Sequence, residues 1–138
     1  MANSLPHELS GNKASDTLLV FMHGYPDTTA VWDGIIPSFE QENYVLNVSY
    51  PNYSQKEINP KGIDFDELVD RLKVTINQVN DSNRKVVAVI HDWGSIYVLC
   101  LITNIQGFLT RLSLLMLVLR LQEDFIISFV NLSWPRHF

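Results

Sequence analysis

The protein has 138 residues, of which 46% are hydrophobic and 18% are charged, a composition typical of one globular domain with its own core. Its formal net charge is -5, with 10 basic and 15 acidic side chains, which argues against a nucleic-acid-binding surface of clustered Lys and Arg. Cys100 is the only cysteine, so an internal disulfide is excluded. Because the N-terminus also lacks the features of a secretory signal, we expect a cytoplasmic protein.

The first strand pattern follows a polar segment. Residues 1–16 predict a flexible N-terminal arm with at most a short edge strand. Buried strands are then predicted where β-branched, aromatic and other apolar residues run together, at residues 17–22, 44–48 and 85–90.

Helix patterns alternate with these strands. Thr28 or Thr29 is a candidate N-cap of a short helix that Pro37 ends or bends. Residues 64–79 have apolar side chains at spacings of three and four, which indicates a helix with one buried stripe. Strands that alternate with helices predict βαβ units and therefore an α/β fold.

The last third of the chain is less regular. A helix is predicted at about 96–103 and a fourth strand at 111–119, but no further βαβ unit fits after them. The apolar stretch over 98–121 is interrupted by polar side chains, so we expect no membrane span. We therefore divide the chain into the arm at 1–16, a partial α/β core at 17–119 and a divergent C-terminal tail at 120–138.

Two loops with unusual chemistry follow the first and third predicted strands. Their sequences are His23-Gly24-Tyr25-Pro26 and His91-Asp92-Trp93-Gly94. An isolated aspartate between a strand and a helix is usually a helix cap, because it accepts hydrogen bonds from the first helical turn. Because the chain also has the His23-Gly24-Tyr25-Pro26 loop, an active site is the leading hypothesis.

The chain resembles the first half of an α/β-hydrolase of the epoxide hydrolase and haloalkane dehalogenase group over about residues 17–115. The resemblance depends on the two motifs, on their order and spacing, and on Trp32 between them. The resemblance implies a mostly parallel sheet with flanking helices, and we expect this chain to lack the cap domain. The resemblance also places Asp92 where the nucleophile elbow of the fold, Gly-x-Ser-x-Gly, carries serine. A carboxylate is ionised at neutral pH, so Asp92 can attack a carbon electrophile without a base to activate it.

The resemblance assigns roles to the neighbouring residues. The backbone N–H groups of Tyr25 and Trp93 hold the oxyanion, and the Trp93 indole either lines the substrate pocket or packs on the sheet. His91 is expected to be structural. The residues expected to support the loops are His23, Gly24, Pro26 and Gly94. The implied substrate is a small apolar electrophile, by preference an epoxide, and neither a cofactor nor a metal is implied.

The chain departs from the family pattern in three places. Ile90 stands two positions before Asp92, where the family has a small residue, and the opening hairpin of the family is shortened or absent. The cap, the second acid and the base histidine should all follow the elbow in a longer chain. Glu123 or Asp124 followed by His137 reproduces the order acid then base, but too few residues separate them to bring the histidine over the elbow.

We therefore interpret the chain as a truncated member of the group, inactive or limited to a single turnover. Two alternatives stay open. One is a haloalkane dehalogenase-like hydrolase, and the other is a non-catalytic α/β fragment that associates through exposed sheet edges.

Overall fold

The computed structural model describes residues 2–53, 57–103, 119–121 and 125–132. Two α-helices are present in these residues, α1 (Phe65–Val79) and α2 (Trp93–Thr103). The six strands are β1 (His7–Gly11), β2 (Thr17–Met22), β3 (Tyr44–Val48), β4 (Lys85–His91), β5 (Leu119–Leu121) and β6 (Phe125–Leu132). The strands predicted at 17–22 and 44–48 are confirmed, and the third runs one residue further than predicted, to His91.

The six strands form one sheet in the order β1-β3-β2-β4-β6-β5. The three central strands are parallel, with Val20 of β2 opposite Leu46 of β3 and Ala88 of β4. β1 is antiparallel to β3, and β6 is antiparallel to both β4 and β5. The sheet described is therefore mixed: its two central pairings are parallel, as predicted, and its three outer pairings are antiparallel.

The helices are positioned by caps and by proline. Asp64 caps α1, since its side chain accepts a hydrogen bond of 2.9 Å from the Asp66 amide. The helix predicted after Thr28 is instead two short 3-10 helices, Thr29–Trp32 and Ile36–Ser38. Pro37 lies inside the second of these, and a longer α-helix would need the N–H that proline lacks. Neither α-helix in the described residues is long and apolar enough to cross a membrane.

The sheet has a hydrophobic cluster on each face, because successive side chains of a strand point to opposite sides. Val20 and Met22 of β2 pack in the larger cluster with residues of α1 and α2. Phe21, between them in the chain, packs with Trp32 in the smaller cluster on the other face, where their rings meet edge to face at 5.3 Å. Burial on both faces explains why β2 and β4 are continuous in apolar residues.

Both ends of the chain join this sheet. The segment predicted as the N-terminal arm contains β1, the short edge strand allowed there, and its Leu5 is 1% exposed. At the other end β6, within the predicted tail, pairs with β4 from Val86 to His91. The fourth strand predicted at 111–119 lies outside the described residues except for Leu119, which begins β5.

Candidate active site

Asp92 occupies a sharp turn between β4, which ends at His91, and α2, which begins at Trp93. Its φ of 50° lies in the left-handed region, which costs a non-glycine residue about 1–2 kcal/mol. The Ser95 amide donates to the Asp92 carbonyl at 3.0 Å and closes the turn. Ile90 is buried in the larger core cluster, so its branched side chain is packed within the sheet two residues before the turn. The result is an exposed carboxylate on a strained turn.

Two backbone amides donate to this carboxylate. The Tyr25 amide donates to Oδ2 of Asp92 at 2.9 Å. This hydrogen bond is the largest of the effects that lower the pKa of Asp92 below its ordinary value of 3.8. The Trp93 amide is the second cause. Both donors favour the ionised form, and so does the N-terminal end of α2, which carries a partial positive charge. Asp92 is therefore a carboxylate at neutral pH.

Gly24 and Gly94 allow the two loops to touch. A Cβ on Gly24 would lie 2.6 Å from Oδ2 of Asp92, and a Cβ on Gly94 would lie 2.6 Å from the carbonyl oxygen of Met22. Real Cβ atoms do not approach other atoms so closely. Only glycine at both positions lets the end of β2 and the turn after β4 come together. Pro26 follows Tyr25 on the exposed side of the same loop.

His23 is fully buried at the start of this loop. Its Nδ1–H donates to the Gly24 carbonyl at 3.0 Å, and burial lowers the pKa of the imidazole. The ring is therefore neutral at physiological pH. Its Nε2 has no hydrogen-bond partner among the described residues. These contacts are typical of a histidine that stabilises a loop.

His91 and Trp93 flank Asp92 and have different surroundings. Nδ1 of His91 lies 3.6 Å from Oδ2 of Asp27, and the His91 ring meets the edge of Trp32 at 6.4 Å between centroids. Trp93 is 45% exposed. Of the two alternatives for Trp93, its exposure favours a wall of the site over an indole packed on the sheet.

A group of tyrosines beside the two loops was missed from the sequence. Tyr53 meets Tyr25 edge to face at 6.3 Å between ring centroids, and it contacts Tyr50 at 6.2 Å. Tyr50 in turn contacts Tyr97 of α2 at 4.9 Å. The signal that could have located Tyr53 is its place just after β3, because the carboxyl ends of neighbouring parallel strands share one edge of the sheet.

The structure does not describe three of the predicted site residues. Glu123, Asp124 and His137, the candidates for acid and base, lie outside the described residues. Within the part of the chain that is described, no cluster of three or more His, Cys, Asp or Glu side chains is suited to a metal ion.

Residues 17–112 match the model of a family described as alpha/beta hydrolase fold. Mouse epoxide hydrolase 3 is 32% identical over 92 residues, which are 64% of this chain and 24% of that protein. The chain thus spans about a quarter of that relative's length.

Two solved structures resemble the chain at TM-scores of 0.57 and 0.60. One is a mutant epoxide hydrolase from Bacillus megaterium in complex with its diol product, 24% identical over 72% of this chain and 34% of that one. The other is a loop variant of a haloalkane dehalogenase from Bradyrhizobium elkanii, 19% identical over 71% of this chain and 32% of that one. At such identities the likeness shows the fold alone. The family match covers more than half of the residues, and the chain therefore belongs to the α/β-hydrolase fold family.

Proposed function

We propose that this chain carries out the first half of an epoxide hydrolase reaction, with Asp92 as the nucleophile. The observation that carries the proposal is the exposed Asp92 carboxylate on its strained turn, held at Oδ2 by the Tyr25 amide at 2.9 Å. The 32% identity to a protein named epoxide hydrolase 3 supports the same choice. The substrate class is a small apolar epoxide.

The chemistry follows from the two oxygens of the carboxylate. Oδ1 attacks an epoxide carbon, the carbon–oxygen bond of the ring breaks, and the ring oxygen takes the electron pair and then a proton from water. The product is a hydroxyalkyl ester of Asp92. Oδ2 becomes the ester carbonyl oxygen, and the amides of Tyr25 and Trp93 stabilise the oxyanion that forms when water later attacks.

The described residues support this first step and leave the second open. Hydrolysis of the ester needs a base that activates water and an acid that orients the base. The candidates Glu123, Asp124 and His137 lie outside the described residues. We propose that the chain is alkylated once on Asp92 and then stalls as the ester.

Intact-mass spectrometry after incubation with epoxybutane tests this proposal. We expect the mass of one epoxide per chain, no steady production of diol, and no adduct on Asp92→Asn. Asp70→Asn is the matched control, since Asp70 is an exposed carboxylate on α1, and it should react like the wild type. An adduct that survives in Asp92→Asn would contradict the proposal, and continued diol release would show that the chain completes the cycle.

A haloalkane dehalogenase-like activity is the second candidate, and the exposure of Trp93 favours it. An indole N–H beside the nucleophile can donate a hydrogen bond to a leaving halide, and Trp93 is 45% exposed next to Asp92. Incubation with bromobutane and measurement of released bromide test this alternative. Bromide equal to one per chain from the wild type, and none from Asp92→Asn, is the expected result if the candidate is correct.

A further inference from the structure

A cavity separate from the two loops around Asp92 lies on the face of the sheet that carries the smaller core cluster. Its volume is about 360 Å³, which is within the range of small-molecule sites. Its lining comes from β1, from β3 and from the segment of 3-10 helices between β2 and β3. Among the described residues, those that line it lie outside the loops at 23–26 and 91–94. The cavity is therefore a second candidate site.

The lining of this cavity is rich in negative charge. Glu8 of β1 contributes one carboxylate, Asp33 after the first 3-10 helix a second, and Glu40 after the second 3-10 helix a third. None of the lining residues in the described part of the chain is Lys, Arg or His. Carboxylates are negative at neutral pH, so the cavity attracts a cation.

Asn47 adds a buried hydrogen-bond acceptor to the same lining. It is 4% exposed, and its Nδ2 donates to the Thr29 carbonyl at 3.3 Å. Its Oδ1 has no hydrogen-bond partner among the described residues, and an unpaired buried acceptor destabilises a fold. Asn47 lies directly opposite Glu8 in the register of β3 and β1, so the two side chains leave the sheet on the same face. A ligand with N–H donors would satisfy both acceptors.

The wall that carries Glu40 is held against β1. An added Cβ on Gly11, at the end of β1, would lie 3.1 Å from Cα of Glu40, so the backbones approach closely there. The Asn12 amide donates to the Asn43 carbonyl at 2.9 Å. These contacts fix the segment after the second 3-10 helix beside the strand that carries Glu8.

The size of the cavity favours an elongated organic cation over a single metal ion. Its volume of about 360 Å³ compares with roughly 30 Å³ for one water molecule in the liquid. Ile36 and Pro37 also contribute apolar groups to the lining. An aliphatic polyamine has ammonium groups separated by methylene chains, and ammonium groups donate hydrogen bonds to carboxylates. Its chemistry therefore matches both parts of the lining.

We propose that this cavity binds an aliphatic diamine or polyamine cation. One ammonium group lies between Glu8 and Asn47. A second contacts the carboxylates of Asp33 and Glu40, and the methylene chain between the two groups packs against Ile36. This site is independent of the reaction proposed for Asp92.

Isothermal titration calorimetry of the full chain with spermidine at low salt tests the proposal. We expect one spermidine per chain, and Glu40→Gln should weaken its binding by about tenfold, because a hydrogen bond to a charged group is lost. Glu42→Gln is the matched control. It removes the same charge two residues away, at an exposed position outside the described lining, and should change the affinity by less than about twofold. Butane-1,4-diol, which has no charge, should not bind.

A diffuse attraction of the cation to an acidic protein would give a different result. Equal weakening in the two glutamate variants, or amide shifts in ¹H–¹⁵N spectra that spread over all acidic surfaces, would overturn the proposal. Displacement of spermidine by an equal concentration of MgCl₂ would show a metal site instead, and absence of binding to the wild type would also contradict the proposal. Circular dichroism like that of the wild type shows that both variants are folded.

Discussion

At the scale of single residues, the contact between Gly24 and Asp92 decides whether the site can form. The hydrogen atom in place of a side chain lets the carboxylate lie against the backbone of the Tyr25 loop, where Oδ2 reaches the Tyr25 amide. One added methyl group would occupy the space of Oδ2. The site is therefore sensitive to a change that alters neither charge nor polarity.

Gly24→Ala tests this contact. Because its Cβ would lie 2.6 Å from Oδ2 of Asp92, the carboxylate must move and lose the Tyr25 hydrogen bond. We expect the rate of adduct formation to fall by about 100-fold, because a displacement of about 1 Å misaligns the carboxylate for attack, and the free energy of unfolding to fall by about 1–3 kcal/mol. Gly34→Ala is the control, since a Cβ there meets no atom within 4 Å. Equal rates in the two variants would show that the contact is unimportant.

The sequence predicted the loop residues but missed their tyrosine neighbour. Asp92, Tyr25 and Trp93 lie in two short motifs whose order and spacing are visible in the chain, and the resemblance supplied their pairing. Tyr53 belongs to no motif, and its place just after β3 is a weak signal because the course of that turn depends on tertiary contacts with His23 and Tyr25. Short motifs carry local chemistry, whereas contacts between loops depend on the folded sheet.

At the scale of elements, Arg71 on α1 ties the N-terminal arm to the core. Its guanidinium donates to the backbone carbonyls of Asn3 and Ser4 at 3.1 and 3.0 Å, and to both oxygens of Glu57 at 2.7 and 2.6 Å. The arm also donates from the Leu5 amide to Thr75 at 2.7 Å. One buried cation on a helix thus anchors two segments that lie far from it in the chain.

Arg71→Met should release both segments. We expect a loss of about 2 kcal/mol in the free energy of unfolding, since the hydrogen bonds to a charged group disappear while the apolar stem is kept. Urea unfolding at neutral pH measures this loss. Lys61→Met removes an exposed positive charge in a turn and should change stability by less than about 0.5 kcal/mol. Similar losses in the two variants would rule out an anchoring role.

The same ion pair makes the stability depend on pH. The Arg71 hydrogen bonds hold the pKa of Glu57 below its ordinary value of 4.5 in the folded chain. The folded-state pKa is the lower one, so this contribution is present above pH 4.5 and is lost as the pH falls through the lowered value. Urea titrations across this range should show a steeper loss of stability in the wild type than in Arg71→Met.

The helical elements show where sequence patterns work and where they fail. The α1 helix was predicted almost to the residue, because its apolar stripe is a local signal. The segment after Thr28 has a cap and apolar residues too, but Pro37 interrupts it and the chain takes two 3-10 turns. A short pattern of this kind does not distinguish the two helix types.

At the scale of the whole molecule, the C-terminal strand alters the edge of the sheet. One of the alternatives for the partial core is a fragment that associates through exposed sheet edges. Within the described residues, β6 pairs with β4 along its length, up to Ile127 opposite His91. The outermost strands are β1 and the three-residue β5. The strand that leads to Asp92 is therefore paired on both sides.

Deletion of residues 119–138 should expose the β4 edge. An unpaired strand with continuous apolar residues recruits other chains, so we expect dimers and larger species in size-exclusion chromatography with light scattering. Deletion of residues 133–138 alone keeps β5 and β6 and serves as the control, which should match the full chain. If the longer deletion stays in the same oligomeric state as the full chain, β6 has no protective role.

The central claim for the molecule is that Asp92 forms an ester with an epoxide, and peptide mapping tests it most directly. Trypsin cleavage after Lys85 and Arg111 releases one peptide that holds Asp92 together with His91 and Cys100. We predict that this peptide carries one epoxide on Asp92, and that mild alkali removes it as expected for an ester. An alkali-stable label on Cys100 or His91, or an unmodified peptide, would contradict the claim.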